Sequence, residues 1–291
     1  MDFEGEENTE FVPSKFEPSD WREQNKKYKN VRLVGFCTKL EPLMFERTCS
    51  NLATHLLFGY RVTLYSKKLL RIKLKGEERK SKPESLDRFC SFHPIEEDSI
   101  VLFSDIFDVL SLRAKDEFLR EFLSLKKNAK IVFSTEKNFF PFFWEEDKKE
   151  IHWAWNCRTL DHKKALKMHR SIFGGKRYIN SGLFGGERET MCNLAQLINF
   201  LPNLLEGEKC VEDQALTNFA AMMLSKSVAL DANATLFISA RDSEFSFEKI
   251  KDNDSFVEHS VKSMKFNSHP SFIHGNGMEW KNYPKVRKRI T

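Results

Sequence analysis

The sequence has little glycine and proline and no long hydrophobic run. Its 291 residues include 12 Gly and 9 Pro, both below average usage, which excludes a collagen-like or low-complexity chain. A transmembrane helix needs about 18 consecutive apolar residues, and no such run is present, so the sequence predicts no membrane span. Hydrophobic residues make up 41% of the chain and aromatic residues 13%. That content fills a packed core and predicts a folded globular protein.

Charge of one sign is also scarce. The 47 Lys and Arg nearly balance the 42 Asp and Glu, which gives a net charge of +5 and predicts no binding of nucleic acid. The N-terminus is acidic, where a secretory signal has a basic start followed by an apolar stretch. We therefore expect a cytoplasmic protein as the sequence stands, and a secretory protein only if the N-terminus has been processed.

Cysteine pairs at metal-ligand or redox-motif spacing are absent. The sequence has 6 Cys, all widely separated, and most lie among apolar neighbours. Buried free thiols are the expected state of these side chains, and an even count alone does not establish an oxidising compartment. The positions are Cys37, Cys49, Cys90, Cys157, Cys192 and Cys210.

The pattern along the chain predicts one main domain. Residues 1–28 form a polar, flexible arm, residues 29–284 the domain, and residues 285–291 a basic tail. Within the domain, short apolar runs typical of buried strands alternate with segments of helical periodicity. This alternation predicts an α/β fold in which helices flank a central, mainly parallel sheet. Ligands of such folds bind beyond the carboxyl ends of the strands.

Two carboxylates follow the strongest strand signal, residues 99–104. Asp105 and Asp108 would point to opposite faces of a continuing strand, so they converge only if the chain turns there. Convergent carboxylates repel each other unless a cation lies between them. The alternative is that they cap the following helix.

A second polar cluster, residues 274–277, follows a short apolar run near the C-terminus. His274 can offer a ring nitrogen to a metal, and the glycines on either side of Asn276 allow a tight loop whose amides face an anion. An ordinary turn is the alternative interpretation. Carboxylates combined with an imidazole favour Mn²⁺ over Mg²⁺.

Two further motifs carry polar groups that can contact a ligand. Asn180-Ser181-Gly182 begins an apolar run, where small residues let a hydroxyl-rich ligand approach the backbone. Glu212-Asp213-Gln214 precedes a helical segment, and helix capping is the alternative role of these acidic residues.

In their order along the chain, these motifs resemble the glycosyltransferase domain of the procollagen lysyl hydroxylases and their relatives, which has a GT-A type, Rossmann-like fold. The resemblance covers about residues 31–283. It rests on Ser104-Asp105-Ile106-Phe107-Asp108, Ser134-Thr135-Glu136, Tyr178-Ile179-Asn180-Ser181-Gly182, Glu212-Asp213-Gln214, Leu230-Asp231 and His274-Gly275-Asn276-Gly277.

The resemblance implies a role for each matching residue. Asp105, Asp108 and His274 match the manganese ligands. Asn180 and Asp213 match positions near the transferred sugar, and Glu212 stands where the family usually has Asp; Glu136 has a counterpart without an assigned role. The implied contacts to UDP and its phosphates are Phe36, Cys37, Thr38, Asp105, Ile106, Phe107, Gly275, Asn276, Gly277 and Lys281.

The implied activity is transfer of a hexose, glucose or galactose, from a UDP-sugar to a hydroxyl acceptor that the sequence does not specify. A catalytically silent protein that binds a sugar nucleotide or glycan is the alternative. A metal-dependent phosphohydrolase would need ligands for a second ion. The aromatic stretch 139–176 is either an acceptor-side platform or a packed insertion.

Overall fold

A computed structural model of the chain gives its fold. The structure describes residues 30–37, 42–66, 86, 89–91, 99–137, 139, 142–145, 150–153, 162–175, 177–204, 213–240, 244–251 and 257–275. The strands are β1 (Asn30–Cys37), β2 (Arg61–Ser66), β3 (Ser99–Ser104), β4 (Val109–Ser111), β5 (Ile131–Glu136), β6 (Phe142–Glu145), β7 (Glu150–Trp153), β8 (Tyr178–Glu187), β9 (Val228–Leu230), β10 (Phe237–Ser239), β11 (Phe245–Lys251), β12 (Val257–Ser263) and β13 (Phe272–His274). The helices are α1 (Pro42–Leu57), α2 (Lys115–Lys126), α3 (His162–Phe173), α4 (Arg188–Leu204) and α5 (Asp213–Met223).

A six-stranded sheet forms the centre of the fold, with the strand order β2-β1-β3-β8-β5-β9. β1 pairs in parallel with β2 and β3, and β5 pairs in parallel with β9. β8 alone in this sheet is antiparallel to both of its neighbours. The predicted α/β fold with a mainly parallel sheet is therefore confirmed.

Apolar residues cover both faces of this sheet. Adjacent residues of one strand point to opposite faces, and the two main core clusters divide accordingly. Phe103 packs in the cluster that includes residues of α4 and α5, whereas Leu102 packs in the cluster that includes Phe118 and Phe122 of α2. The all-buried pattern of β3 and β5 thus reflects strands covered on both sides.

A smaller sheet, with the order β10-β13-β4, lies beyond the end of β3. β13 pairs in parallel with β10 and antiparallel with β4, and the β4 register sets His274 opposite Val109. Of these three-residue strands, only β13 was anticipated, as a short apolar run. The pairing matters for function because it joins residues separated by more than 160 positions.

The segment 139–176 includes a β6–β7 hairpin and helix α3. Phe139 is buried, and its ring packs against His169 of α3 and against Tyr178 at the start of β8. Burial lowers the pKa of His169 to about 4, so this ring is neutral at pH 7. These contacts agree with packing at one end of the segment, while residues 154–161 lie outside the described residues.

Cys90 and Cys192 form a disulfide that closes a sequence separation of 102 residues. The prediction of free thiols is wrong for this pair, because the fold sets Cys192 of α4 beside the helical residues 89–91, and spacing alone cannot reveal that proximity. Cys49 is a free, exposed cysteine. In the described part of the chain, no helix has the length and apolar content to cross a membrane.

Candidate active site

A tight turn after β3 brings Asp105 and Asp108 to the same side of the chain. The Asp108 N–H donates a hydrogen bond to the Asp105 carbonyl oxygen at 3.1 Å, which closes the turn, and the Asp105 N–H donates to the Gly182 carbonyl oxygen at 2.8 Å. The turn that convergent carboxylates require is therefore present. It is anchored directly to β8.

The β4–β13 ladder brings His274 to this turn. His274 pairs with Val109, the residue after Asp108. The next amide, Gly275 N–H, donates to the Asp108 carbonyl oxygen at 2.7 Å. This amide is therefore engaged within the protein, and contact of the loop after His274 with a phosphate remains a prediction.

Asp105, Asp108 and His274 form a buried cluster suited to a divalent metal ion. One ligand atom from each residue lies within 4.8 Å of the others, and the residues are only 6%, 5% and 2% exposed. Asp108 Oδ1 lies 3.3 Å from His274 Nε2 and accepts no hydrogen bond from the residues described. Two buried carboxylates repel each other unless a positive charge lies between them, and oxygen ligands combined with an imidazole fit Mn²⁺.

Gly182 of β8 lies in close contact with two of the three side chains of this cluster. A Cβ atom at position 182 would overlap His274 Cε1 and lie 2.8 Å from His274 Nε2 and 3.0 Å from Asp105 Oδ2. Only glycine therefore lets β8 pass so close to the two ligand side chains.

An irregularity in β8 connects the metal cluster to Asp213. Phe133 pairs with Phe184 and Thr135 with Ile179, so four residues of β8, 180–183, stand opposite the single residue 134 of β5. Such bulges redirect side chains and are common at active sites. Within this stretch Gly182 faces the metal ligands, while the Ser181 hydroxyl lies 3.4 Å from Asp213 Oδ2.

The side chain of Gln214, the residue after Asp213, is the centre of a hydrogen-bond network, and the sequence motif did not indicate this role. Its Oε1 accepts from both the backbone N–H and the hydroxyl of Ser181 at 2.9 Å. Its Nε2 donates to the Ile179 carbonyl oxygen at 2.8 Å and to Glu136 Oε1. The start of α5 is thereby fixed to β8 and to the end of β5.

Asn180 and Asp231, two further residues of the sequence motifs, accept hydrogen bonds from backbone N–H groups close to them in the chain. Asn180 Oδ1 accepts a hydrogen bond from the Gly182 N–H at 2.9 Å, which stabilises the irregular stretch of β8. Asp231 accepts from the backbone N–H groups of Thr235, Leu236 and Phe237 at 2.7–2.8 Å. Burial raises the pKa of Asp231 to about 6, although these hydrogen bonds act to lower it. Asp231 therefore has a structural role in the loop before β10.

The predicted donor-contact residues are only partly within the described residues. Phe36 and Cys37 end β1, in which Gly35 pairs with Ser104 of β3, so the ends of these two strands lie side by side near Asp105. Ile106 packs against Gly35, where a Cβ atom would come within 3.0 Å of Ile106 Cβ; Phe107 is half-buried. The predicted donor contacts that lie outside the described residues are Thr38, Asn276, Gly277 and Lys281, and Glu212 of the predicted catalytic set also lies outside them.

Comparison with known proteins places this geometry in context. No curated protein matches the chain significantly. A glycosyltransferase involved in the glycosylation of the major capsid of PBCV-1 has a similar structure, with a TM-score of 0.50 and 10% sequence identity over 90% of this chain and 100% of that chain. This likeness shows a shared fold. The family model of the PLOD GT domain matches residues 82–286, which is more than half of the chain, so the protein belongs to the PLOD glycosyltransferase domain family.

Proposed function

We propose that this protein is a metal-dependent hexosyltransferase that moves glucose or galactose from a UDP-sugar to a hydroxyl acceptor. The observation that carries the proposal is the buried cluster of Asp105, Asp108 and His274 in a chain of this family. Two carboxylates and an imidazole can hold one divalent ion at the strand ends where α/β folds bind their ligands. This set of ligands favours Mn²⁺ over Mg²⁺.

A bound Mn²⁺ would neutralise the charge that builds on the diphosphate leaving group as the glycosidic bond breaks. The chain's own groups hold the ligands in place. The turn closed between Asp105 and Asp108 fixes the two carboxylates, and the strand pairing of His274 fixes the imidazole. Such preorganisation lowers the cost of assembling the site when the donor binds.

Asp213 is the group that we assign to the sugar or to the acceptor hydroxyl. It begins α5, is nearly buried, and lies beside the Ser181 hydroxyl. With Ser181 it borders a small cavity whose other walls include Phe103, Phe184 and Ile198. The reaction stereochemistry decides whether this carboxylate removes a proton, stabilises positive charge on the sugar or only accepts a hydrogen bond. Asn180 and Glu212 complete the proposed catalytic set.

The two alternative functions, a silent binding protein and a phosphohydrolase, would use a different set of residues. The presence of Asp105, Asp108, Asp213 and His274 argues against a catalytically silent sugar-nucleotide or glycan-binding protein. A two-metal phosphohydrolase needs a second group of metal ligands. In the described part of the chain Asp105, Asp108 and His274 form one group of ligands, and no second group is present there.

The test of the proposal is a donor panel analysed by two readouts. The wild-type protein is incubated with Mn²⁺ and either UDP-glucose or UDP-galactose, and UDP release is measured with and without a chelator. Hydroxyl-bearing proteins, glycans and small molecules are then added, and mass spectrometry detects a hexose increment. Mn²⁺-dependent UDP release supports the proposal. UDP binding without release favours a silent binding protein, and release of inorganic phosphate favours a phosphohydrolase.

A cytoplasmic location remains a prediction from the sequence. The Cys90–Cys192 disulfide favours an oxidising compartment instead, because structural disulfides persist there.

A further inference from the structure

Helix α1 presents a row of buried polar side chains to the segment that carries the metal ligands. Asn51, Thr54 and His55 are between 0% and 2% exposed. Thr54 Oγ1 accepts a hydrogen bond from the Ser111 N–H at 3.3 Å, and His55 Nδ1 lies 2.5 Å from Ser111 Oγ. Buried polar groups persist when they are hydrogen-bonded, and the hydrogen bonds of this face of α1 link it to residues 106–111.

Asn51 makes the contact nearest to the metal cluster. Its Nδ2 donates a hydrogen bond to the Ile106 carbonyl oxygen at 2.8 Å. Ile106 lies inside the turn that Asp105 and Asp108 close, and its side chain packs against Gly35. The turn is therefore held through its main chain by Asn51 and through its side chain by β1.

We propose that Asn51 is a positioning residue for the metal site, which acts through the Ile106 carbonyl to fix the Asp105 and Asp108 carboxylates relative to His274. The inference rests on the proposed function. Two other anchors, the Asp105–Gly182 and Gly275–Asp108 backbone hydrogen bonds, hold the ends of the turn. Asn51 holds its middle, and it comes from a helix that precedes the 82–286 family match.

Loss of this hydrogen bond should weaken metal binding more than turnover. Without Asn51 the peptide between Ile106 and Phe107 is free to rotate, so the two carboxylates must be ordered when the ion binds. Residues that orient metal ligands contribute about 10- to 100-fold to metal affinity. Once the ion is bound the site has the same ligands as before, so turnover at saturating Mn²⁺ should stay near that of the wild type.

The experiment measures binding of Mn²⁺ alone, from the electron paramagnetic resonance signal of the free ion. The variants are Asn51→Leu, which removes the donor at similar volume, and Asn51→Ser, which keeps a shorter donor. Thr54→Val is the matched control, because it lies on the same buried face and loses hydrogen bonds to Asn51 O and Ser111 N but none to the turn. Melting temperatures are recorded for all three variants.

The inference predicts that Asn51→Leu binds Mn²⁺ about tenfold or more weakly, while Thr54→Val loses thermal stability but keeps wild-type affinity. Asn51→Ser should lie between the wild type and Asn51→Leu, and it decides the question if Asn51→Leu does not fold. In UDP release, the Mn²⁺ concentration for half-maximal rate should rise and the maximal rate should not fall.

Three results would overturn the inference. Wild-type Mn²⁺ affinity in Asn51→Leu would refute the role of Asn51 but not the metal-dependent function. If Asn51→Leu is unfolded, wild-type affinity in a folded Asn51→Ser would have the same meaning. An equal loss of affinity in Thr54→Val would assign the effect to general destabilisation. Absence of Mn²⁺ binding by the wild-type protein would instead refute the metal-dependent function itself, and the role of Asn51 with it.

Discussion

Replacing Gly182 by alanine tests the metal site through a residue that contacts the ligands but is neither a ligand itself nor a surface group. The added Cβ would overlap His274 Cε1 and would lie 2.8 Å from His274 Nε2 and 3.0 Å from Asp105 Oδ2. Comfortable contacts between such atoms are about 3.5–4.0 Å. The imidazole must therefore move by about 1 Å.

This displacement is large on the scale of metal coordination. Ligand distances are held within about 0.2 Å of their preferred values, so a shift of about 1 Å removes His274 from a productive position. The imidazole has little room to avoid the clash, because His274 is buried and paired on both sides, with Ser239 and with Val109. We expect Gly182→Ala to weaken Mn²⁺ binding by about tenfold or more and to lower stability by about 1–3 kcal/mol.

Gly185→Ala is the matched control on the same strand. Its Cβ would overlap Leu102 Cδ2 and lie 3.1 Å from the Val101 carbonyl oxygen, with no metal ligand within 4 Å among its nearest neighbours. We expect a comparable loss of melting temperature and wild-type affinity for Mn²⁺, measured by calorimetric titration. If Gly182→Ala binds Mn²⁺ and releases UDP like the wild type, the assignment of His274 and Asp105 as ligands is refuted.

Three further predictions test other parts of the structure. Asp213→Asn should still bind UDP in the presence of Mn²⁺ while transfer falls by about tenfold or more; unchanged transfer would make Asp213 a helix cap. Burial lowers the pKa of His55 to about 3, so the unfolded chain takes up a proton before the folded one. The stability that this ring contributes is complete above pH 6.5 and is lost as the pH falls to about 3, by on the order of 5 kcal/mol. The free energy of unfolding of His55→Gln, measured in urea, should fall less steeply between pH 6.5 and 3 than that of the wild type, and an equally steep fall would contradict the assignment to His55. Cys192→Ser, or reduction, should lower the free energy of unfolding by about 2–5 kcal/mol, and unfolding that is insensitive to reductant would contradict the disulfide.

The sequence predicted the central sheet well, because its strands are apolar on both faces and stand out from their neighbours. β3 and β5 are buried along their whole length. The two strands β4 and β10 were missed because three residues carry too little periodicity. The β11–β12 hairpin was also missed, although Phe245 and Phe247 alternate with polar residues.

The candidate site was predictable as a set of ligands but not as an arrangement. Motif order indicated Asp105, Asp108 and His274, which the structure brings together. The supports of this site depend on pairing between distant segments. Asn51 contacts a carbonyl 55 positions away, and Gly182 faces His274 because β8 is irregular opposite β5. Such contacts leave no periodic trace in the sequence.

The central claim is that Asp105, Asp108 and His274 hold a divalent ion used in sugar transfer. The most direct measurement compares Mn²⁺-dependent UDP release by the wild type, Asp108→Asn and Asp116→Ala, with either UDP-glucose or UDP-galactose as donor. Asp108→Asn keeps the shape of a buried ligand and removes its charge, whereas Asp116 is an exposed carboxylate of α2. We predict loss of release in Asp108→Asn with a melting temperature close to that of the wild type, and full activity in Asp116→Ala. Full UDP release by Asp108→Asn in chelated buffer would contradict the account.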